Sequence, residues 1–372
     1  MKVVRSDLAP ATIGLALAIV AAPAFAAEPH VSQRALNDYK ALQTTAKALK
    51  DPDLRAATVD ALKPGTCLRH RAGLTDEGKA VILTRLAARG FVADTGPATT
   101  AGVFPPVADE ASACPHPLGS FAAAPGGTLY SHHGWPGGLS EHERVNQEIG
   151  VDLSRAFARA GNTAVDADLV SAAAIWHDWA KVIVFQWQGD GTLSPELRIG
   201  GTAATGSHHI LGLAEAMARH MSPRLVITQA CAHAAPLGED APKVAVWLEA
   251  AAIIARVDPV KTGYLRNSDK GLDINWGNGR SGEDGIWREC LIHNASDDNY
   301  THSHTVSTAA DAMLKKLAPR FGYDPAAPGY LMKYRHVVMS ELGADRIQAL
   351  ISTGDEATLI KDIEALRAKG LL

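Results

Sequence analysis

A histidine followed directly by an aspartate, His177-Asp178, lies inside an apolar, alanine-rich stretch that predicts a helix. Trp176 and Trp179 flank the pair. Burying an imidazole and a carboxylate there without partners would cost several kcal/mol, because buried polar and charged groups must be satisfied. We therefore predict that the pair binds a metal cation, with further ligands supplied by His and Asp residues of other helices.

The first residues are typical of a secretory signal peptide. Lys2 and Arg5 give a positive start, residues 11–22 form a short apolar run, and Ala-Phe-Ala at 24–26 offers a cleavage site. The run is too short to span a bilayer stably, and no later apolar run reaches about 18 residues. We expect residues 1–26 to be removed and the mature protein to be periplasmic and free of the membrane. An uncleaved N-terminal anchor is the alternative.

The charge balance excludes one class of partner. The formal net charge is −4, and losing Lys2, Arg5 and Asp7 with the signal, a net +1, would make it −5. Proteins that bind nucleic-acid polymers carry basic tracts or basic patches interleaved with aromatic residues. This chain has no such tract, so a small molecule is the expected substrate.

The chain has four cysteines, which an oxidising compartment would favour pairing. Cys67 and Cys114 both lie in loop-like sequence, and we expect a disulfide bond between them. Cys231 lies in an apolar stretch, where it is equally well interpreted as a small core residue. With Cys290 as the fourth, three pairings are possible, and the sequence does not choose among them.

Apolar residues recur at helical spacing and few segments alternate as strands do, which predicts an all-α fold. Thr75 is expected to cap one helix, ahead of acidic residues in its first turn. The segments 94–127 and 271–284, rich in Gly with Pro or Asn, are predicted to be loops. Helices are predicted over 31–50, 54–62, 74–90, 139–160, 166–185, 207–220, 223–233, 243–257, 287–293, 303–317, 331–342 and 355–368.

The predicted organisation has four parts. After the signal peptide, residues 27–125 form a helical and loop-rich N-terminal extension. Residues 126–265 form the metal-binding helical domain. Residues 266–372 comprise a loop insertion and C-terminal helices that pack on this domain.

Candidate metal ligands occur in order along the predicted helices. Imidazole and carboxylate groups suit divalent ions of the first transition row. The set is too large for one tetrahedral site but suits two ions that share a bridging carboxylate, which would be Asp178. The candidates are His142, His177, Asp178, His208, His233 and Asp258.

The order of these residues resembles the HD superfamily of metal-dependent phosphohydrolases, in particular its binuclear branch. Residues 132–142 (HHGWPGGLSEH) are similar to an HH-x-x-x-GGL-x-EH segment of some members. Residues 177–181 (HDWAK) resemble the HD-x-G-K signature, with Ala180 where glycine is usual. Residues 207–212 (SHHILG) resemble a GH-x-x-x-G segment, which favours His208 over its neighbour as a ligand. The resemblance covers about a third of the chain.

The resemblance implies an HD-domain helical bundle that holds two divalent ions. Iron or manganese is expected, with zinc, nickel or magnesium as alternatives. One ion would be bound by His142, His177, Asp178 and Asp258, and the second by His208, His233 and the bridging Asp178.

Lys181 and Asp178 are the predicted catalytic residues. Lys181 matches a lysine that lies close to the scissile phosphate in the family. Independently, a spacing of three residues places Lys181 on the same helix face as Asp178. A cation there can neutralise charge that develops on phosphoryl oxygens.

The predicted function is hydrolysis of a phosphoester, such as a nucleotide or a small organic phosphate, by a metal-activated water. One alternative is an HD-type di-iron oxygenase that acts on a small organic substrate, and another is a non-catalytic metal- or ligand-binding protein. His132, His133 and His209 are assigned to the substrate region, although His132 and His133 could instead only order the Pro-Gly-Gly turn. The sequence does not specify the substrate or the oligomeric state.

Overall fold

The computed structural model describes residues 29–161, 164–277 and 286–372. The predicted signal peptide therefore lies outside the described residues. Within these ranges the chain is mostly helical, with two short antiparallel strand pairs, which agrees with the predicted all-α class. None of the described helices is both long and apolar enough to cross a membrane.

The described part of the N-terminal extension contains four α-helices whose starts follow ordinary capping rules. The side chains of Ser32, Asp51 and Thr75 each accept a hydrogen bond from a backbone N–H in the first turn of the following helix, which confirms Thr75 as a cap. The fourth helix lies within 94–127, predicted as a loop, and begins with Pro97, a favourable first residue. The helices are α1 Gln33–Ala48, α2 Pro52–Ala61, α3 Asp76–Ala88 and α4 Pro97–Val103.

Seven helices form the centre of the molecule. The second of them, α6, is buried at every position from Leu169 to His177, and it packs against neighbours on several sides. The apolar core around it also includes residues from α1 to α4, so the N-terminal extension shares this core. The central helices are α5 Gly138–Gly161, α6 Ala167–His177, α7 Lys181–Val184, α8 Ser207–Ala218, α9 Pro223–Ala230, α10 Ala241–Ala255 and α11 Trp287–Asp297.

The helix predicted over 166–185 is interrupted in the middle. Asp178 follows the last residue of α6 and has φ −110° and ψ 6°, outside helical geometry. A new, short helix, α7, starts only at Lys181. The prediction of one continuous helix is therefore wrong, and His177 and Asp178 lie at a break in the backbone.

The C-terminal helices build a second apolar cluster, to which Trp135 of the central region also contributes. The segment predicted as one helix over 331–342 starts as a π-helical turn, Leu331–Arg335, and continues as α13. The α-helices are α12 Tyr300–Leu317, α13 His336–Leu342, α14 Ala344–Ser352 and α15 Glu356–Ala368. Of these, α14 was not predicted.

The strands are short and form two antiparallel pairs. Strands β1 (Arg198–Ile199) and β2 (Thr205–Gly206) precede α8, which starts directly after β2. Strands β3 (Leu265–Ser268) and β4 (Gly271–Ile274) form a hairpin in which Leu265 is opposite Ile274. The loop predicted over 271–284 therefore begins as a strand.

Two disulfide bonds use all four cysteines. The bond between Cys67 and Cys114 confirms the predicted pairing. The second joins Cys231, at the end of α9, to Cys290 in α11. Cys231 is thus both buried in the core and covalently paired.

A buried carboxylate ties the N-terminal extension to α8. The side chain of Glu215 accepts hydrogen bonds from the backbone N–H groups of Arg69 and His70 at 3.0 and 3.1 Å. It also contacts His70 Nδ1 at 2.6 Å and Arg219 Nε at 2.7 Å. Burial alone would raise the pKa of Glu215, but these partners lower it to about 2. Burial lowers the pKa of His70.

We expect Glu215→Ala to lower the free energy of unfolding by about 3–5 kcal/mol, because it leaves buried partners unpaired. Chemical denaturation near neutral pH measures this loss. Glu148→Ala, which removes an exposed carboxylate paired with Arg144, is the matched control and should change stability by less than about 1 kcal/mol. Equal losses in both variants would contradict the structural role of Glu215.

The same pair predicts a pH dependence. Both pKa values are lower in the folded protein than in the unfolded chain, so folding releases protons and the contribution is lost on acidification. The contribution of His70 to stability should decrease as the pH falls below 6.5, the ordinary pKa of histidine. That of Glu215 should be complete above 4.5 and disappear as the pH falls towards about 2. The free energies of unfolding of the wild type and of Glu215→Gln, measured across this pH range, should converge at the acid end. A constant difference between them would refute the linkage.

Candidate metal centre

Six buried or partly buried side chains from five segments converge at the break after α6. His177 and Asp178 lie at the end of α6, and each is at most 1% exposed. The other segments are α5, α8, the residues after α9, and the last residue of α11. They supply His142, His208, His233 and Asp297 respectively.

Four donor atoms form the first group. His142 Nε2 lies 3.2 Å from Asp178 Oδ2 and 3.3 Å from Asp297 Oδ1. His177 Nε2 lies 3.4 and 3.2 Å from the same two oxygens. The two Nε2 atoms are 3.3 Å apart. All four donors therefore face one small volume.

The other oxygens of the two carboxylates face a second group of donors. Asp178 Oδ1 lies 3.1 Å from His208 Nε2 and 3.6 Å from His233 Nε2. Asp297 Oδ2 is 3.7 Å from His233 Nε2. Asp178 therefore has one oxygen directed to each group, which is the arrangement expected of a bridging carboxylate.

These distances fit metal coordination. Nitrogen and oxygen ligands lie about 2.0–2.2 Å from a divalent ion such as zinc, so neighbouring donors in its shell are separated by about 3.0–3.5 Å. Asp178 Oδ1 and His208 Nε2 are both buried and, despite their proximity, have no hydrogen-bond partner. Buried polar atoms are normally satisfied, and a shared cation would satisfy both. The buried His and Asp groups could thus hold a metal ion.

The electrostatics of the site favour added positive charge. Burial would raise the pKa of Asp178, but Lys181 and the imidazoles hold it well below its usual range. His177 and His142 likewise keep the pKa of Asp297 low against the effect of burial. In turn, although burial lowers the pKa of His208, Glu196 and Asp178 raise it to about 9. Ionised carboxylates in this interior attract either protons or a cation.

Carboxylate groups and a backbone oxygen outside the cluster contact the second ring nitrogens of two of its histidines. Glu143, itself fully buried, lies 3.2 Å from His177 Nδ1, which also contacts the backbone oxygen of Ala174 at 2.7 Å. Glu196 binds His208 Nδ1 and accepts the His208 backbone N–H at 3.0 Å. Such partners fix the ring orientation of metal-binding histidines.

The carboxylate of Asp297 is fixed by a hydrogen bond from Asn146 Nδ2 at 2.8 Å. Ser296 donates in turn to Asn146 Oδ1 at 2.6 Å. Both partners are fully buried. The orientation of this carboxylate is therefore set by α5 and by its own helix.

The prediction that Asp258 is a ligand is wrong. Its carboxylate is exposed and accepts hydrogen bonds from the backbone N–H groups of Val260 and Lys261, at 3.0 and 3.1 Å. It follows the end of α10 and lines a groove with Arg85 and Glu249 that contains none of the other candidates. An aspartate that caps the next turn in this way needs no metal.

Asp297 occupies the place that was predicted for Asp258. The sequence prediction ended the helix that begins at Trp287 after His293, one turn too early. Asp297 lies four residues after His293, which puts both on one helix face, and the His293 ring lies 5.2 Å from that of His177. That spacing on a buried helix was the available signal, but no motif marked it.

The three residues predicted to be near the substrate have different surroundings. His132 lines a cavity at the metal centre, and its ring lies 4.8 Å from that of His142. His133 is buried, with its ring 5.3 Å from those of Trp135 and His142. His209 is also buried and stacks on His233 at 4.3 Å. It is not among the described residues that line the cavity, so the structure gives it a packing role.

The Pro-Gly-Gly turn after His133 depends on its glycines. Gly137 has φ +83°, in the left-handed region that favours glycine. A Cβ atom on Gly138 would lie 1.9 Å from the backbone oxygen of His133. These two positions allow the chain to fold back and to start α5 beneath the two histidines.

A buried arginine of the C-terminal helices anchors the same segment. Arg335 donates to the backbone oxygens of Leu129 and Gly134 at 2.7 and 2.6 Å. Its charge is balanced by Asp311, at 2.7 and 3.0 Å. The C-terminal cluster therefore fixes the loop that carries His132.

Lys181 lies at the inner end of the cavity, which has a volume of about 440 Å³. The Lys181 ammonium contacts the Asp178 carboxylate and the backbone oxygen of Gly126. Its side chain is almost completely buried. A cation is thus in contact with the central carboxylate, as the short spacing suggested, although the two residues lie on either side of the helix break and not on one continuous helix face.

Comparison with known proteins gives no relative. The sequence matches no protein-family model, and no curated protein or solved structure is significantly similar to it. Function must therefore be inferred from the chemistry of the site.

Asp297→Ala and Asp258→Ala form a matched pair of variants that tests the ligand set. We expect Asp297→Ala to lose at least one equivalent of bound divalent ion, because it removes a carboxylate donor from the first group. Asp258→Ala should retain the metal content of the wild type, since its carboxylate only caps a turn. Elemental analysis of the purified proteins, with circular dichroism to confirm folding, measures the difference. Loss of metal from Asp258→Ala but not from Asp297→Ala would contradict the assignment.

Proposed function

We propose that this protein is a metal-dependent phosphohydrolase that releases inorganic phosphate from a small phosphorylated molecule. The observation that carries the proposal is the contact between the buried ammonium of Lys181 and Asp178, inside a cavity that opens from the metal centre. A cation beside a His and Asp cluster suits a substrate that brings negative charge to the cluster. The resemblance of residues 132–142 and 177–181 to the HD superfamily supports the same reaction class.

Two divalent ions, of iron or manganese, are proposed as the cofactors. One would be held by His142, His177, Asp178 and Asp297, and the other by His208, His233 and the second oxygen of Asp178. Bound there, they would lower the pKa of the attacking water and offset charge on the phosphoryl oxygens.

The reaction proposed is simple hydrolysis. The oxygen of water forms a new bond to phosphorus, the bond from phosphorus to the ester oxygen breaks, and one proton of the water ends on that ester oxygen. The products are an alcohol and inorganic phosphate. No oxidant or second substrate is required.

The side chains of the cavity have distinct roles in this reaction. Lys181 places its ammonium group where a phosphoryl oxygen would approach Asp178, and it offsets charge that grows in the transition state. The backbone oxygen of Ala174 and the carboxylate of Glu196 hold the rings of His177 and His208 in place. The cavity of about 440 Å³ falls within the range typical of small-molecule sites. With the predicted signal peptide, the substrate would be met in the periplasm.

Replacing Lys181 by methionine should separate chemistry from metal binding. We expect kcat for phosphate release to fall by about 10²–10³, as for loss of one charge-stabilising donor, while the metal content is unchanged. Phosphate release from p-nitrophenyl phosphate and elemental analysis are the two measurements. Lys243→Met, which removes an exposed lysine paired with Asp240, is the control. Unchanged turnover in Lys181→Met would exclude the proposed role.

Oxygen dependence distinguishes the hydrolase from the di-iron oxygenase alternative. Water is the only co-substrate of the proposed reaction, so phosphate release should proceed at the same rate under anaerobic conditions. Rates measured in a glove box and in air on one protein preparation provide the comparison. Activity that stops without oxygen and returns on its addition would favour the oxygenase.

A further inference from the structure

We propose that the site selects phosphate monoesters and discriminates against di- and triphosphates. This inference rests on the proposed phosphohydrolase function, and it concerns the class of substrate. It follows from how charge is distributed between the inner end and the outer wall of the cavity.

Positive charge is confined to the inner end. Among the described residues that line the cavity, Lys181 is the only lysine or arginine. Its ammonium is already in contact with Asp178 and with the Gly126 backbone oxygen. The inner end therefore provides for one phosphoryl group, at the proposed metal centre, and the described part of the cavity wall offers no second lysine or arginine further out.

The outer wall instead carries a carboxylate. Asp298, exposed at the end of α11, lines the cavity there, and Glu196 adds a second negative charge further in, where it is paired with His208. Sites that bind polyphosphates place Lys or Arg side chains around the additional phosphates. Here, a second or third phosphate would lie near like charges, which disfavours binding.

The remaining groups of the wall suit an uncharged leaving group. Tyr300 is exposed, and its ring lies 5.7 Å from that of His132. Phe185 contributes an apolar surface on the wall beside His208, with ring centroids 5.8 Å apart. Carboxylates accept hydrogen bonds from hydroxyl groups, and rings provide a surface for a planar or apolar group. A monoester of a sugar or nucleoside combines these features.

The test compares adenosine mono-, di- and triphosphate on the metal-loaded protein, with free Mn²⁺ in excess over nucleotide. Two readouts are needed: kcat/KM for phosphate release, and the dissociation constant from competition with a fluorescent nucleoside monophosphate. We expect kcat/KM for the monophosphate to be at least about tenfold higher than for the triphosphate, and its dissociation constant to be at least about tenfold lower.

Charge variants make the test specific to the wall. Asp298→Lys adds a cation at the outer wall and should narrow the gap between mono- and triphosphate by about tenfold, and Asp298→Asn should give an intermediate change. Asp152→Lys makes the same charge change at an exposed position of α5 and should leave the ratio unchanged. Because Asp298 is next to the proposed ligand Asp297, elemental analysis checks that the Asp298 variants keep their metal.

The outcomes separate the two proposals. A wild-type protein that binds and hydrolyses the triphosphate as well as the monophosphate overturns the inference, as does an unchanged ratio in Asp298→Lys. If no phosphate is released from any of the three nucleotides, the phosphohydrolase proposal fails for this class. The ranking of the dissociation constants then still decides between mono- and triphosphate selection.

Discussion

The rest of this structure depends on the close contact between two buried carboxylates and four imidazoles. Asp178 and Asp297 lie within 3.1–3.7 Å of nitrogen donors from His142, His177, His208 and His233. Such a cluster is costly to bury unless added positive charge compensates it. A bound metal ion would provide that charge, and it would account for the lack of a hydrogen bond between Asp178 Oδ1 and His208 Nε2 at 3.1 Å.

The surrounding fold keeps these donors in place. The helix break after α6 leaves His177 and Asp178 at its end, and Asn146 of α5 fixes Asp297. The disulfide bond between Cys231 and Cys290 joins the segments that supply His233 and Asp297. Apolar packing, hydrogen bonds and one covalent bond therefore all converge on a single site, and the C-terminal helices add the anchor of the loop above it.

Much of the site was predictable from the sequence, and the exceptions have physical reasons. His142, the His177-Asp178 pair and His208 belong to local motifs, and the pair lies in an apolar helix, where buried polar residues are conspicuous. His233 was predicted from its order in the sequence relative to these residues. Asp297 was missed because its place in the site follows from how α11 returns to the core after residue 286, which helical periodicity does not specify. The prediction of one continuous helix over 166–185 was wrong because the apolar sequence pattern continues across the break, whereas the backbone of Asp178 leaves helical geometry.

Crystals grown with Mn²⁺ and measured at the manganese absorption edge would show directly whether the cluster binds metal. We expect anomalous density enclosed by His142, His177, Asp178 and Asp297, and a second peak between Asp178, His208 and His233. Ordered side chains in these positions with no anomalous density between them, at saturating Mn²⁺, would contradict the metal centre and with it the proposed chemistry.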